Sequence, residues 1–308
     1  MRTVVVGTRK SALALTQTGW VMDRLREANS RWELRQEKIV TKGDRILDVT
    51  LSKIGGKGLF VKEIEQALLD GRIDIAVHSM KDMPGEIPDG LVIGAVTRRE
   101  DPRDCLITRS GQSLEELPSG ARIGTSSLRR QAQILAYRPD VTVEPVRGNL
   151  DTRLRKMQEG QFDGILLAVA GLSRMGWQDR VTQALSTDIM VPAVGQGALA
   201  IQCRADDTEV LEGLKKINDP ETERAVRAER AFLHAFEGGC HLPVGAYAEE
   251  TGGLIRLIGM VAHPDGQKVL RGTVEGTEPE QVGRTLAQQL LEKGAGELLS
   301  ALREGMSR

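Results

Sequence analysis

The sequence predicts an α/β protein of two lobes followed by a smaller C-terminal α+β domain, and three observations carry that reading. From residue 3 to about 172, short β-branched runs alternate with stretches whose apolar residues recur near a 3.6 period. Two segments break the alternation: 100–104 with charge and proline, and 190–197 with proline and two glycines. Beyond Asn218 the chain turns to a helical stretch, a run of strands and a final helix.

The elements follow in order. Residues 3–6 are β-branched and open the chain as a strand, and 11–28 is the first amphipathic helix. A helix over 59–69 precedes strands over 73–77 and 91–96. Past the first break come a strand at 122–124, a helix at 127–137, a strand at 141–146, a helix at 150–158 and a strand at 164–168. Strands and helices in alternation favour mostly parallel sheets with helical cover. If both breaks are crossings between the same two lobes, 101–190 is an inserted domain 2, and 1–100 with 191–217 forms domain 1. Ligands would then bind in the cleft between the lobes. Domain 3 is 218–308, with a helix over 222–236, a Gly-Gly-Cys loop, strands over 244–248, 254–261 and 269–274, and one long helix over 279–302.

Composition removes several function classes. Forty-two Lys and Arg against 43 Asp and Glu leave a net charge of −1, without the basic footprint of a nucleic-acid binder, and nine aromatic residues offer little for base stacking. The longest apolar run, 164–172, is far below the ~20 residues of a membrane span. The opening segment is too short for a signal peptide, so a cytoplasmic location is expected. Cys105, Cys203 and Cys240 form no CxxC pair, and His78, His234, His241 and His263 lack metal-ligand spacing. Neither a disulfide framework nor a metal is expected.

Three strand-to-helix turns carry arginine where the helix dipole disfavours it. Gly124-Thr125-Ser126-Ser127-Leu128-Arg129-Arg130 runs from a strand through capping residues into two cations in the first turn. Arg147-Gly148-Asn149-Leu150-Asp151-Thr152-Arg153 and Gly7-Thr8-Arg9-Lys10-Ser11 repeat the arrangement. Helix starts attract anions, and residues 121–160 hold eight basic against four acidic side chains, so a carboxylate or phosphate cleft is expected. Any one of these arginines taken alone fits a solvated helix face equally well.

A second constellation is the apolar strand leading into His78-Ser79-Met80-Lys81-Asp82, at the carboxyl edge where open sheets place their ligands. Lys81 and Asp82 are candidates for acid–base work or for stabilising a developing charge, and spacing alone equally allows an ordinary ion pair. The third is Glu237-Gly238-Gly239-Cys240-His241-Leu242-Pro243, a tight turn that exposes the Cys240 sulfur more than that of Cys203. Ile54-Gly55-Gly56-Lys57-Gly58 is no Walker loop but suits a Gly-rich lid, and Gly195-Gln196-Gly197-Ala198-Leu199-Ala200 lacks the helix a dinucleotide site requires. So far the residues fit an enzyme with an anion cleft or a non-catalytic two-lobed binder of small carboxylates.

Seven stretches together resemble the porphobilinogen deaminase (hydroxymethylbilane synthase) family: Arg9-Lys10-Ser11-Ala12-Leu13-Ala14, Lys53-Ile54-Gly55-Gly56-Lys57-Gly58-Leu59-Phe60, His78-Ser79-Met80-Lys81-Asp82, Gly124-Thr125-Ser126-Ser127-Leu128-Arg129-Arg130, Arg147-Gly148-Asn149, Pro192-Ala193-Val194-Gly195-Gln196-Gly197 and Glu237-Gly238-Gly239-Cys240. Their order and spread cover most of the chain. The resemblance implies two lobes like those of a periplasmic binding protein and a third domain carrying the cysteine. It implies a dipyrromethane cofactor held by a thioether at Cys240, and a transferase of porphyrin (haem) biosynthesis that adds porphobilinogen units head to tail with loss of ammonia. The product is the linear tetrapyrrole hydroxymethylbilane.

By the same resemblance, Ser11, Ser127, Arg129, Arg130 and Lys81 contact primer and substrate side chains, and Arg9, Arg147 and Arg153 hold the remaining carboxylates. Asp82 matches the catalytic aspartate that stabilises the electron-poor azafulvene formed on deamination. Gln17 and Phe60 match positions near the site, and 47–60 resembles a mobile lid in which Lys53 and Lys57 close over the carboxylates. The partners implied are porphobilinogen and its oligopyrrole intermediates, with a monomeric protein, no nucleic acid and no membrane. The chemistry agrees with the arginines: each added pyrrole brings an acetate and a propionate, and forked guanidinium donors suit carboxylates.

Overall fold

A computed structural model describes residues 2–45, 61–236 and 242–306. Its first stretch runs β1 (Arg2–Arg9), α1 (Ala12–Ala28), β2 (Trp32–Ile39), the short α2 (Lys42–Arg45), α3 (Lys62–Leu69), β3 (Ile75–Ser79) and β4 (Leu91–Val96). After the first break come β5 (Asp104–Thr108), β6 (Arg122–Gly124), α4 (Leu128–Tyr137), β7 (Thr142–Glu144), α5 (Leu150–Gln158), β8 (Gly164–Ala168), α6 (Val169–Arg174) and β9 (Gln183–Ala184). The chain then returns through β10 (Leu199–Arg204) and α7 (Thr208–Lys215) to α8 (Pro220–His234), β11 (Val244–Thr251), β12 (Leu254–Ala262), β13 (Val269–Gly276), α9 (Pro279–Glu292) and α10 (Ala295–Met306).

Two five-stranded sheets, ordered β2-β1-β3-β10-β4 and β7-β6-β8-β5-β9, form the lobes, and a three-stranded sheet β11-β12-β13 forms the C-terminal unit. The two segments read as breaks fall in the connections β4–β5 and β9–β10, so the chain crosses between the lobes twice. Asp104, placed inside the first break by sequence, instead starts β5. The lobe sheets are mixed, not mostly parallel. β10 lies antiparallel between β3 and β4, and β5 antiparallel to β8 and β9. Both reversed strands follow a crossing, where the chain re-enters a sheet against the direction of its neighbours.

Local chemistry starts the helices. Ser11, Ser127 and Asn149 cap α1, α4 and α5, their side-chain oxygens accepting from the N–H groups of Ala14, Arg130 and Thr152. Of the three arginine-bearing turns, only the one at Ser127 puts cations into the first turn: Arg9 ends β1, and Arg147 precedes its cap. α1 lays Val21, Met22 and Leu25 on the first sheet beside Val4, Val6 and Ile75. β2 was not anticipated because it is an edge strand with only its two end residues, Trp32 and Ile39, buried.

In the C-terminal unit, α8 and α9 cover one face of the antiparallel sheet, with Phe232, Leu286 and Leu290 fully buried. The single helix expected over 279–302 is two helices, because Gly294 between them adopts φ +93, a left-handed conformation that ends α9. This unit grips both crossings. Glu229 of α8, itself fully buried, accepts from Arg99 Nη1 at 2.7 Å, Gly195 N at 2.6 Å and Ala248 N at 2.8 Å. No described helix is long and apolar enough to cross a membrane.

Candidate active site

β3 ends in Ser79, and a single 3₁₀ turn, Met80–Asp82, follows at the carboxyl edge of the sheet. The backbone N–H of Met80 is bonded to Ala198 O at 3.0 Å, which fixes the turn against the return crossing. Gln17, buried on α1, pairs its side-chain amide with the Ser79 hydroxyl at 3.1 Å. From the other lobe, α4 supplies Arg130, α5 supplies Arg153 and α6 supplies Arg174.

These side chains meet around a cavity of about 80 Å³. Its walls carry four basic groups, Lys81, Arg130, Arg153 and Arg174, and among the described residues no acidic one. Gln196 of the return crossing also lines it, and its Oε1 accepts from Lys81 Nζ at 3.5 Å. Arg153 is steered by its Nε donating to Gly148 O at 2.8 Å, and Arg174 by its Nη2 donating to Gly197 O at 2.6 Å.

Desolvation dominates the electrostatics. Burial lowers Lys81 to about 8, helped by the Arg130 charge and opposed by Asp82 and Asp104. Burial likewise lowers Arg153 to about 10, with Arg130 and Arg147 adding to it and Asp82 opposing. Arg174 is lowered to about 10 by burial against the pull of Glu100, and Arg147 is lowered by burial. Cations pushed toward neutrality in a cavity without acids are what an incoming carboxylate relieves. The donor set therefore fits a ligand bearing several carboxylates, as a dipyrromethane does.

Asp82 is exposed and adjoins this group, its charge acting on both Lys81 and Arg153. The structure thus brings together Gln17, Lys81, Asp82, Arg130 and Arg153 of the predicted residues. Arg129, Arg9, Arg147, Ser11 and Ser127 do not line the cavity. Arg129 turns to Asp104, donating to Oδ2 at 2.6 Å, and to Val191 O at 2.6 Å. Arg9 and Arg147 are half-buried, at the end of β1 and before the cap of α5. Cys240, Lys53, Lys57, Phe60 and the 47–60 segment lie outside the described residues.

Sequence reasoning did not single out Ser79, Arg174, Gln196 or Asp104 as site residues. Ser79 and Gln196 stand inside motifs already quoted, whereas Arg174 follows an apolar run with no motif of its own and Asp104 sits in a segment read as a hinge. A larger groove of about 800 Å³ lies on the far side of Arg174; its walls mix Arg24, Arg98 and Lys216 with Glu27, Glu100 and Asp219, and it holds none of the predicted site residues. Among the described residues no group of three His, Cys, Asp or Glu side chains is placed to hold a metal ion.

Comparison with known proteins shows the family. The family model described as "Porphobilinogen deaminase, dipyromethane cofactor binding domain" matches residues 4–212, and "Porphobilinogen deaminase, C-terminal domain" matches 224–292. The chain is 57% identical over 305 residues to a porphobilinogen deaminase of Geobacillus kaustophilus (strain HTA426), covering 99% of each chain. It is 57% identical over 301 residues to that of Brevibacillus brevis, covering 97% of each, and 56% identical over 308 residues to that of Halalkalibacterium halodurans, covering 99% of each. On the matched domains, the near-complete coverage and the cationic cleft at Lys81, the chain belongs to the porphobilinogen deaminase family.

Proposed function

We propose that the polymerisation of porphobilinogen by which this family serves tetrapyrrole biosynthesis takes place, in this chain, in the cleft where Lys81, Arg130 and Arg153 converge beside Asp82. The chain is a hydroxymethylbilane synthase, a transferase that joins porphobilinogen units and releases the linear tetrapyrrole. The observation that carries the location is the cavity with four cations and no acid in its described walls, drawn from both lobes. The domains we assign are 1–100 with 191–217, 101–190 and 218–308, in a monomeric, cytoplasmic protein.

The dipyrromethane cofactor of the matched domain would be held by a thioether at Cys240 and by carboxylate contacts with Lys81, Arg130 and Arg153, with Arg9, Ser11, Ser127, Arg129 and Arg147 around them. When bound it supplies the pyrrole end from which the chain grows. Lys81 and the two arginines share the acetate and propionate groups of cofactor and incoming unit, and gain from them the counter-charge that buried cations lack. Asp82 places a negative charge beside the methylene carbon where positive charge develops as ammonia leaves, and takes part in proton transfer to the amine. Gln17 orders the floor of the cleft through its hydrogen bond to Ser79.

An intact-protein mass spectrum with an Ehrlich assay tests the reading. The expected mass exceeds that of the sequence by one dipyrromethane, with a positive colour reaction and porphobilinogen-dependent ammonia release. An unmodified, uncoloured protein that is folded and active would overturn the primer assignment, and a folded protein releasing no ammonia would be a carboxylate binder instead.

A further inference from the structure

We infer that Asp104 is a positioning residue of this site: its carboxylate aims the Arg129 and Arg130 guanidinium groups and, through Gln196, sets them relative to Lys81 of the opposite lobe. The inference rests on the cleft reading above. Asp104 opens β5 directly after the outgoing crossing and is fully buried. Its Oδ2 accepts from Arg129 Nη1 at 2.6 Å. Its Oδ1 accepts from Arg130 Nε at 2.9 Å, Gln196 Nε2 at 3.0 Å and Arg129 Nη2 at 3.2 Å. Three donors converge on Oδ1 and one on Oδ2, and with the side chain fully buried the carboxylate is engaged by protein groups at both oxygens. Burial pushes its acidity toward the neutral form, but the Arg129 and Arg130 charges outweigh that and hold the carboxyl well below the usual range.

Two adjacent guanidiniums buried side by side would repel and diverge without this anion. With it, each takes a second, directional anchor: Arg130 Nη1 on Leu166 O at 2.9 Å and Arg129 Nη1 on Val191 O at 2.6 Å. Gln196 extends the array to both crossings, donating also to Pro102 O at 2.7 Å and accepting from Lys81 at 3.5 Å. Asp104 is thus the point at which the outgoing crossing, the return crossing and two site arginines meet. A ligand carboxylate then finds Arg130 and Lys81 already directed, and less rotamer freedom is lost on binding.

A purely structural ion pair would leave KM for porphobilinogen unaffected, and would leave Lys81 unaffected where the charge is kept, as in Asp104→Glu; this separates the two roles. Among the described residues, the charged groups acting on Lys81 include Arg130, Asp82, Asp104 and Arg129. Neutralising Asp104 leaves two guanidiniums against one carboxylate, so Lys81 loses its proton at lower pH. The test is Asp104→Asn, with Asp104→Glu as the conservative variant and Gln196→Met as a milder cut of the same array. Readouts are KM and kcat for porphobilinogen, the alkaline limb of kcat/KM, and the pH midpoint of Lys81 acetylation followed by peptide mass spectrometry at equal primer content.

For Asp104→Asn, kcat/KM should fall by about 100-fold, carried mainly by KM, and both the alkaline limb and the Lys81 midpoint should move down by about one pH unit. Asp104→Glu should restore part of each, and Gln196→Met should shift Lys81 in the same direction by less. An Asp104→Asn protein that melts earlier but keeps KM and the Lys81 midpoint overturns the inference. If that variant does not fold, Gln196→Met decides, and unchanged KM and Lys81 midpoint overturn it equally. Failure of the unaltered protein to consume porphobilinogen would sink the cleft reading instead, with Lys81 labelling of Asp104→Glu, in which the charge is kept, still deciding the role of Asp104.

Discussion

Glu229 holds Arg99 through a 2.7 Å contact with both side chains almost wholly withdrawn from water, so a helix of the C-terminal unit is tied to the segment by which the chain leaves the first lobe. Arg99 also stacks on the Tyr247 ring, 5.3 Å from its centroid. The same carboxylate takes the N–H of Gly195 in the return crossing. One anion therefore fixes both connections behind the cleft.

Glu229→Gln should destabilise the protein by about 3–5 kcal/mol, because it leaves the Arg99 charge buried without an opposite charge. Urea denaturation checks this. A loss below about 1 kcal/mol would mean that Arg99 reaches solvent when its partner is neutral.

Asp82→Ala should keep the fold and the primer while turnover falls by about 100- to 10,000-fold. The side chain is exposed, so its removal should change stability by no more than about 0.5 kcal/mol. Ammonia release, with intact mass and a thermal melt on the same sample, separates the effects. Near-normal turnover removes Asp82 from the chemistry.

Binding of porphobilinogen to primer-free protein near pH 8 should take up protons. Burial lowers Lys81 to about 8, so without a bound carboxylate part of it is neutral at that pH, and a bound carboxylate raises it again. Calorimetric titration in two buffers of different ionisation heat measures the uptake. Uptake should fade toward pH 6, where Lys81 is already charged, and a signal independent of pH contradicts the assignment.

Cys105 and Cys203 should resist alkylation at pH 8 in the native protein and react once it is unfolded. Burial pushes their thiols up to about 12 and about 11. Under the proposed thioether attachment, Cys240 should remain unmodified in both states. Full alkylation of Cys240 in the unfolded protein would contradict a covalent primer.

Much of the architecture is legible locally. The strands Leu91–Val96, Arg122–Gly124 and Gly164–Ala168 and the helix Leu150–Gln158 stand where their periodicity puts them, because each has a buried face that its own residues announce. α6 was not foreseen because Val169–Arg174 continues the apolar run of β8, and a short buried helix has no period to distinguish it. β5 was hidden by the charges around Asp104, a side chain whose burial makes sense only beside Arg129 and Arg130, 25 and 26 residues on.

The sequence by itself determined the family, the small hydroxyl residues that could cap α4, and the candidacy of Lys81, Asp82, Arg130 and Arg153, since all are written in contiguous motifs. Only the tertiary structure decided that Arg129 serves Asp104 while Arg130 also faces the cavity, and that Arg174 joins it from α6. The reason is that a guanidinium's direction follows from the carboxylates and carbonyls that the two crossings bring to it. Those partners lie tens of residues away in sequence, beyond what helix and strand periodicity encodes.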